Sequence, residues 1–279
     1  MSPRDQDGEL PEVGTWAEKK YDLLRRYLTM FSTGMKDKWP TRVYLDLFAG
    51  AGRASMGGSA RTVPTSALIA LDQKYPFDRY VFCEADPDRM AALQARVARA
   101  ARTCDVRFVA GDCNDRIDDV IAGLPPVNDR GTLIACFVDP YGLANLRFAT
   151  LRKLSEGRRI DFLTLVPSHM DATRNEARLT RKSDPVLDEF LGGRDWRDRW
   201  SAVSRGPAPP SFGAFVVEEF ARSMAGLRFL RFEPADAVMV DANGHPLYHL
   251  ALFSKSERGA DFWKKSKRSA SKQPGLFED

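Results

Sequence analysis

The stretch from Val43 to Gly52 restricts the fold more than any other part of this chain. It begins as a mostly apolar, β-compatible run that contains Asp46, and it ends in the small-residue turn Ala49-Gly50-Ala51-Gly52. A buried parallel strand that ends at a ligand site has this pattern. Gly50 and Gly52 have no Cβ, so the backbone there can adopt positive φ and approach a ligand closely. The alternative is an ordinary strand and turn.

Further buried strands follow at regular intervals, and helices separate them. They are predicted near 80–84, 106–109, 132–138 and 160–166, and the strongest helix, near 86–101, begins with Asp86 as its N-cap. The run at 132–138 is almost entirely apolar, as expected for a parallel strand covered on both faces. The alternation predicts a doubly wound α/β sheet with one ligand-binding edge.

The alternation of predicted strands and helices, and the places where it stops, divide the chain into parts around this sheet. Residues 1–13 are expected to be loosely held, 167–210 break the alternation, and Asn243-Gly244 between apolar runs favours a hairpin. The expected parts are a tail and amphipathic helix at 1–40, the core at 41–166, a helical insertion near the substrate mouth at 167–210, the completion of the sheet at 211–254, and a basic helix and tail at 255–279.

Composition limits the classes of protein. The 279 residues carry a net charge of +4, and 43% of them are hydrophobic and 29% charged, which is ordinary for a globular chain. No apolar run is long enough to cross a bilayer and the first residues are polar, so we expect a cytoplasmic protein without membrane contact. The cysteines are isolated, and His245 and His249 lack a third ligand, so no metal site is expected.

Acidic residues stand at the ends of four predicted strands. Asp46, Glu84, Asp112 and Asp139 should meet at one edge, because the carboxyl ends of parallel strands share an edge. A carboxylate at such an edge can accept hydrogen bonds from ammonium, hydroxyl or amino groups. The segment 53–64 lengthens the connection to Glu84 and is expected to act as a lid or a substrate surface.

The pattern Asp-x-Phe-Ala-Gly-x-Gly resembles the first motif of S-adenosylmethionine-dependent methyltransferases. The resemblance implies a Rossmann-like class I methyltransferase sheet, mostly parallel with an antiparallel final hairpin strand. It also implies that Asp46 meets the methionine end of the cofactor, Glu84 the ribose and Asp112 the adenine amino group. The implied cofactor-binding residues are Asp46, Phe48, Ala49, Gly50, Gly52, Glu84, Asp112, Cys113 and Asp139.

A narrower resemblance is to the three-Cys-motif partner proteins, and it runs from about residue 14 to 166. It rests on the N-terminal Trp16–Tyr27 helix, the 46–52 motif, Gly58-Ser59, the Phe82–Glu84 and Gly111–Asn114 strand ends, and Phe137–Leu143. The family name implies a companion protein that carries three cysteines. The resemblance supplies neither a substrate nor an oligomeric state.

The turn Asp139-Pro140-Tyr141-Gly142 after the fourth strand is similar to the Asp/Asn-Pro-Pro-Tyr motif of enzymes that methylate amino groups on bases. That similarity implies that Asp139 and the Pro140 carbonyl hold the acceptor amine and that Tyr141 stacks on the base. The second proline of the motif is missing here. A structural turn is the alternative interpretation.

Three functions are compatible with these features. The first is methyl transfer to an amino group of a nucleic acid. The second is a cofactor-binding partner subunit with little catalysis of its own. The third, a nicotinamide oxidoreductase, is disfavoured because Gly50-x-Gly52-x-x-Ser55 lacks the third small residue. Trp16 and Lys20 could face a ligand, although core and surface roles are simpler, and the basic segment with Phe262 and Trp263 could track phosphates.

Overall fold

The chain alternates strands and helices as the sequence predicts. The computed structural model describes residues 4–14, 16–57, 61–100, 104–127, 131–230, 238–240 and 244–272. The strands are β1 (Arg4–Asp5), β2 (Gly8–Glu9), β3 (Glu12–Val13), β4 (Thr41–Asp46), β5 (Arg53–Met56), β6 (Thr62–Pro64), β7 (Arg79–Glu84), β8 (Asp105–Ala110), β9 (Thr132–Val138), β10 (Ile160–Val166), β11 (Val238–Val240) and β12 (Pro246–Phe253). The helices are α1 (Trp16–Met35), α2 (Ser66–Leu71), α3 (Pro87–Arg99), α4 (Ile117–Gly123), α5 (Phe148–Ser155), α6 (Glu176–Leu179), α7 (Val186–Leu191), α8 (Trp196–Val203), α9 (Phe212–Gly226) and α10 (Glu257–Lys272).

A seven-stranded sheet in the order β11-β12-β10-β9-β4-β7-β8 forms the centre. The five strands from β10 to β8 in this order pair in parallel, whereas β12 runs antiparallel to both β10 and β11. The strand order reverses between β4 and β9, and in open α/β sheets the crevice at such a reversal is where ligands bind. The predicted mostly parallel, doubly wound α/β sheet with an antiparallel final strand is therefore confirmed.

Burial explains why these segments form the inner strands. Every residue of β10 is buried, and β4 and β9 are buried over nearly their whole length. Helices cover both faces, so a strand that alternated polar and apolar residues would leave polar groups without water. Strand β11 covers the end of the strand predicted near 228–240, of which residues 231–237 lie outside the described residues. Asn243 of the predicted hairpin turn, Gly58 and Ser59 also lie outside them.

Helix α1 lies against the sheet, and α10 packs beside it. The Tyr27 hydroxyl donates a 2.9 Å hydrogen bond to Asp161 of β10. Trp263 of α10 is only 5% exposed and contacts Tyr27 edge-on, with ring centroids 6.3 Å apart. Phe262 fills the space beside Gly34, where a Cβ would come within 2.5 Å of the ring. These aromatic rings are packed against α1 and therefore are not available to stack on a nucleic acid.

Residues 4–14 contain three short strands, whereas the sequence led us to expect a loosely held segment. Strand β3 pairs in parallel with β5, which pairs antiparallel with β6, so segment 53–64 forms part of a small three-stranded sheet. Backbone hydrogen bonds of 2.9 Å run from Ser55 to Pro11 and from Gly57 to Val13. Strands of two to four residues leave no periodic pattern in a sequence, which is why this pairing was not predicted. We call residues 11–14 the N-terminal strap.

Residues 167–210 contain a series of short helices. A π-helical turn at Ser168–Thr173 is followed by α6, α7 and α8, and Trp196 anchors α8 with 1% of its surface exposed. Among the helices that the structure describes, none has both the length and the apolarity needed to pass through a bilayer.

Candidate functional site

A cavity of about 530 Å³ lies at the carboxyl ends of β4, β7, β8 and β9. The N-terminal strap forms one part of its lining, and the strand ends form another. The cavity brings together most of the sequence-predicted site residues. Those that line it are Phe48, Ala49, Gly50, Glu84, Asp112, Cys113, Asp139, Pro140 and Tyr141.

Glycine is needed at the two positions of the turn for different structural reasons. Gly50 has φ +61°, and a Cβ built there would meet no atom within 4 Å, so the position is open towards the cavity. Gly52 has φ +82°, but its Cβ would lie 2.9 Å from the Leu93 side chain and 3.3 Å from Leu68. Gly50 therefore leaves room for a ligand, whereas Gly52 permits the turn to pack on α2 and α3.

Glu84 joins the glycine turn to the end of β7. One carboxylate oxygen accepts a 2.7 Å hydrogen bond from the Gly50 amide, and the other accepts a 2.9 Å bond from the Asp86 amide. A carboxylate oxygen has two lone pairs, so each can still accept from a ligand hydroxyl. The Glu84 carboxylate is thus fixed in place with remaining capacity at the cavity wall.

The end of β8 supplies an exposed carboxylate and a buried thiol. One oxygen of Asp112 accepts hydrogen bonds from the Asn114 amide at 2.7 Å and from its side chain at 2.8 Å. Burial raises the pKa of the Cys113 thiol well above its ordinary value, so the group stays protonated. Cys113 therefore contributes a neutral, weakly polar surface rather than a nucleophile.

Asp46 is placed differently from what the sequence suggests. Its side chain is fully buried under the turn and accepts from the Tyr44 hydroxyl at 3.0 Å and the Phe48 amide at 3.2 Å, with Ser66 also bonded to it. Burial raises the pKa of Asp46 to about 7. The carboxylate supports the turn from below and is not part of the cavity surface, and the sequence could not show which way the side chain points.

Asp139 forms an ion pair with Lys20 at the cavity. The ammonium of Lys20, on α1, contacts its Oδ2 at 2.5 Å, and the two side chains are 5% and 16% exposed. Burial alone would lower the pKa of Lys20, but the Asp139 carboxylate outweighs it and the pKa is raised above its ordinary value. The ammonium also lies 4.8 Å from the Tyr21 ring and 5.3 Å from the Trp16 ring, which favours the charged form.

Pro140 and Tyr141 follow Asp139 along the cavity rim. Pro140 is buried, whereas Tyr141 exposes 92% of its surface beside the opening. A large exposed ring at the edge of a cavity has a free face for stacking on a ligand. The stacking role inferred for Tyr141 stays a prediction.

Sequence reasoning did not select Tyr248, and it gave Trp16 and Lys20 only a secondary role. All three line the cavity. Tyr248 stands near the start of β12, and because this strand is antiparallel, its start lies at the edge where the parallel strands end. That rule could have located Tyr248 once the final hairpin was predicted.

His169 and His249 belong to a separate cluster around the buried Ser168, whereas His245 is exposed. The Ser168 hydroxyl lies 2.7 Å from Nδ1 of His249 and 3.1 Å from Nδ1 of His169. Burial, and then the nearby His169, lowers the pKa of His249 to about 4, so the ring is neutral at ordinary pH. In the described ranges, no group of three or more His, Cys, Asp or Glu side chains is arranged to hold a metal ion.

Comparison with protein-family models and with curated proteins finds no match for this chain. Several solved structures have a similar chain path. A DUF574 family protein from Streptomyces avermitilis is 16% identical, with 86% of this chain and 83% of that chain covered and a TM-score of 0.44. The cyclopropane synthase from Mycobacterium tuberculosis is 13% identical, covering 88% and 69%, with a TM-score of 0.37.

A geranyl diphosphate methyltransferase, solved with GPP and sinefungin, is 10% identical, with 86% of this chain and 78% of that chain covered and a TM-score of 0.39. At such TM-scores and identities, the function has to be inferred from the residues around the cavity of this chain.

Proposed function

We propose that this protein is an S-adenosylmethionine-dependent methyltransferase that modifies an amino group on a nucleic acid. The observation on which the proposal depends is the Glu84 carboxylate. Its oxygens are held by the amides of Gly50 and Asp86 at the wall of the cavity, beside a turn position that is open to a ligand. An acidic group in this place of a doubly wound sheet typically accepts from ribose hydroxyls.

Two further features of the cavity fit this cofactor. Thr65 is only 7% exposed and lines the cavity, yet its hydroxyl has no hydrogen-bond partner within the described part of the chain. A buried hydroxyl without a partner is costly, and a polar group of a ligand would satisfy it. The volume of about 530 Å³ is also within the usual range for cofactor and small-molecule sites.

Three polar side chains of the cavity would then each bind one part of the cofactor. Glu84 would accept from the ribose hydroxyls, Asp112 from the adenine amino group, and the Thr65 hydroxyl would meet the methionine end. When bound, the cofactor supplies an electrophilic methyl group on a sulfonium and leaves as a neutral thioether. The protein therefore needs to orient the acceptor and exclude water rather than provide strong acid–base assistance.

The Asp139-Pro140-Tyr141-Gly142 turn supports an amine acceptor on a base. Asp139 Oδ1 and the Pro140 carbonyl are hydrogen-bond acceptors that could orient an amino group, and the exposed Tyr141 ring could stack on a base. The net charge of +4 and the basic helix α10 favour a polyanionic substrate. Asp139→Ala should abolish transfer while leaving cofactor affinity within a few-fold.

One observation favours a second candidate function. The Lys20 ammonium already occupies Oδ2 of Asp139, so the carboxylate is less available to an acceptor amine than in a site without this pair. That arrangement suits a cofactor-binding partner subunit that works with a companion protein carrying three cysteines. Labelled methyl transfer to DNA, RNA and peptides, measured with and without that companion, separates the two functions.

Cofactor binding provides the first test. We expect S-adenosylmethionine and S-adenosylhomocysteine to bind with micromolar affinity in calorimetry, and NAD not to bind. Glu84→Ala should weaken binding by about 1–3 kcal/mol, because it removes hydrogen bonds to a charged acceptor. Glu156→Ala is the matched control, since Glu156 is an exposed carboxylate at the end of α5 and does not line the cavity. Equal affinity in wild type and Glu84→Ala would reject the assigned pocket.

A further inference from the structure

Part of the cavity is lined by aromatic rings from two segments that are distant in the sequence. Trp16 and Tyr21 come from α1 and Tyr248 from β12, and all three line the cavity. The Trp16 and Tyr248 rings meet edge-on, with centroids 5.4 Å apart and an interplanar angle of 76°. Aromatic walls of this kind favour flat ligands, because a ring can stack on them or contact their edges.

The Tyr248 hydroxyl is an unsatisfied group in this wall. Tyr248 has no exposed surface, and its hydroxyl has no hydrogen-bond partner in the part of the chain that the structure describes. Burial raises the pKa of Tyr248 above its ordinary value, so the group is a neutral phenol that can both donate and accept. A buried phenol at a cavity surface with no partner in the protein points to a partner in the ligand.

The Lys20–Asp139 pair defines the charge that the occupant can carry. The two side chains neutralise each other at 2.5 Å, and both are largely removed from water. An additional ammonium would approach Lys20, and an additional carboxylate would approach Asp139. Either would be desolvated here without a free counter-charge, which is costly. The pair therefore disfavours charged acceptors and admits neutral polar ones.

We propose that Trp16, Tyr21, Lys20, Asp139 and Tyr248 form the acceptor subsite, that it takes a flat, uncharged heteroaromatic ring, and that the Tyr248 hydroxyl hydrogen-bonds to the edge of that ring. The proposal rests on the proposed methyltransferase function and narrows its substrate class. The acceptor subsite would favour an unpaired nucleobase, free or in a single strand, over an aliphatic ammonium or a carboxylate. A base inside a duplex cannot reach a fully buried hydroxyl without leaving the stack.

The test uses the full chain and is carried out with and without saturating S-adenosylhomocysteine. Adenosine and cytidine are titrated and followed by saturation-transfer NMR, with butylamine and acetate as the charged probes. We expect a nucleoside to bind and the charged probes not to bind. Tyr248→Phe should weaken nucleoside binding roughly fivefold, as for one lost hydrogen bond, with S-adenosylhomocysteine affinity and thermal stability unchanged. Trp16→Ala should also weaken it.

Tyr75→Phe is the matched control, because Tyr75 contacts the ammonium groups of Lys36 and Lys74 and does not line the cavity. A single-stranded oligonucleotide and its duplex form the last arm, and tighter binding of the single strand than of the nucleoside would identify a polymer as the source of the base. Equal nucleoside affinity in wild type and Tyr248→Phe, or binding of butylamine in preference to both nucleosides, would overturn the proposal. Failure of S-adenosylhomocysteine to bind wild type would instead reject the methyltransferase function.

Discussion

The Lys20–Asp139 pair joins α1 to the end of β9, and we expect its removal to affect stability in a characteristic way. Lys20→Met deletes the ammonium but keeps an unbranched side chain of similar length. Breaking a buried pair by removing one partner costs about 3–5 kcal/mol, since the remaining charge is left uncompensated. Asp139 is 16% exposed and opens onto a cavity, so we expect the lower end of that range, about 3 kcal/mol.

The double variant distinguishes the charge effect from lost packing. In Lys20→Met/Asp139→Asn, no charge remains in the pair, and the loss should fall to about 1 kcal/mol. The second substitution should therefore recover about 2 kcal/mol of what the first one removed, so the losses of the two single variants should not add in the double variant. If the losses of the two single variants simply add in the double variant, the reasoning is refuted.

The measurement is urea unfolding at pH 8, with the m-value checked so that a change in midpoint reports stability. Arg25→Met provides the control on the same helix. Arg25 pairs with Asp72 at 3.6 Å, but the two side chains are 27% and 69% exposed. Exposed pairs contribute about 0–1 kcal/mol, so Arg25→Met should remain within about 0.5 kcal/mol of wild type. A loss in this control as large as that of Lys20→Met would show that burial is not the cause.

Three further predictions concern other parts of the molecule. Gly52→Ala should destabilise the fold by about 1–3 kcal/mol, because its Cβ would contact Leu93 and its φ is positive. Gly50→Ala has the strain of a positive φ without that contact, so it should destabilise the fold less and lower cofactor affinity more. Calorimetry and thermal melts would show the reverse if the roles are misassigned. Burial raises the pKa of Asp161 to about 6, so the fold favours the protonated carboxyl and the stability that this group contributes falls as pH rises from about 4 to 6. Asp161→Asn should therefore remove about 2 kcal/mol of the difference in unfolding free energy between urea titrations at pH 4 and pH 7. Trp263→Ala should lower the free energy of unfolding by about 3–5 kcal/mol in the same assay, because the ring is buried. Lys264→Gln should leave stability unchanged and weaken nucleic-acid binding in a salt-dependent way. Equal stability of the two variants would contradict the packed role of Trp263.

The strand ends could be predicted from the sequence because each is a local pattern. Glu84 and Asp112 follow apolar runs directly, and the rule that parallel strands share a carboxyl edge is enough to bring them to one cavity. The direction of a side chain at a strand end is not local. Asp46 points beneath the turn because Tyr44, Ser66 and the Phe48 amide lie there, and the sequence gives no sign of that.

Contacts between segments that are distant in the chain could not be predicted from the sequence. Lys20 and Asp139 are 119 residues apart, and neither flanking pattern indicates the other. The sequence places Phe262 and Trp263 in a basic segment, and only the docking of α10 on α1 shows that they are packed. In both cases the helical period predicted the element, whereas its partner depends on the tertiary arrangement.

The N-terminal strap has a consequence for how long a ligand stays in the cavity. Residues 11–14 form one wall, and the hydrogen bonds that Pro11 and Val13 accept from segment 53–57 attach that wall to the small sheet. Breaking them leaves the seven-stranded sheet intact, so the wall can open at a small fraction of the free energy of global unfolding. Ligand dwell time would then depend on the opening of this short peripheral segment as well as on the strength of the contacts at the strand ends.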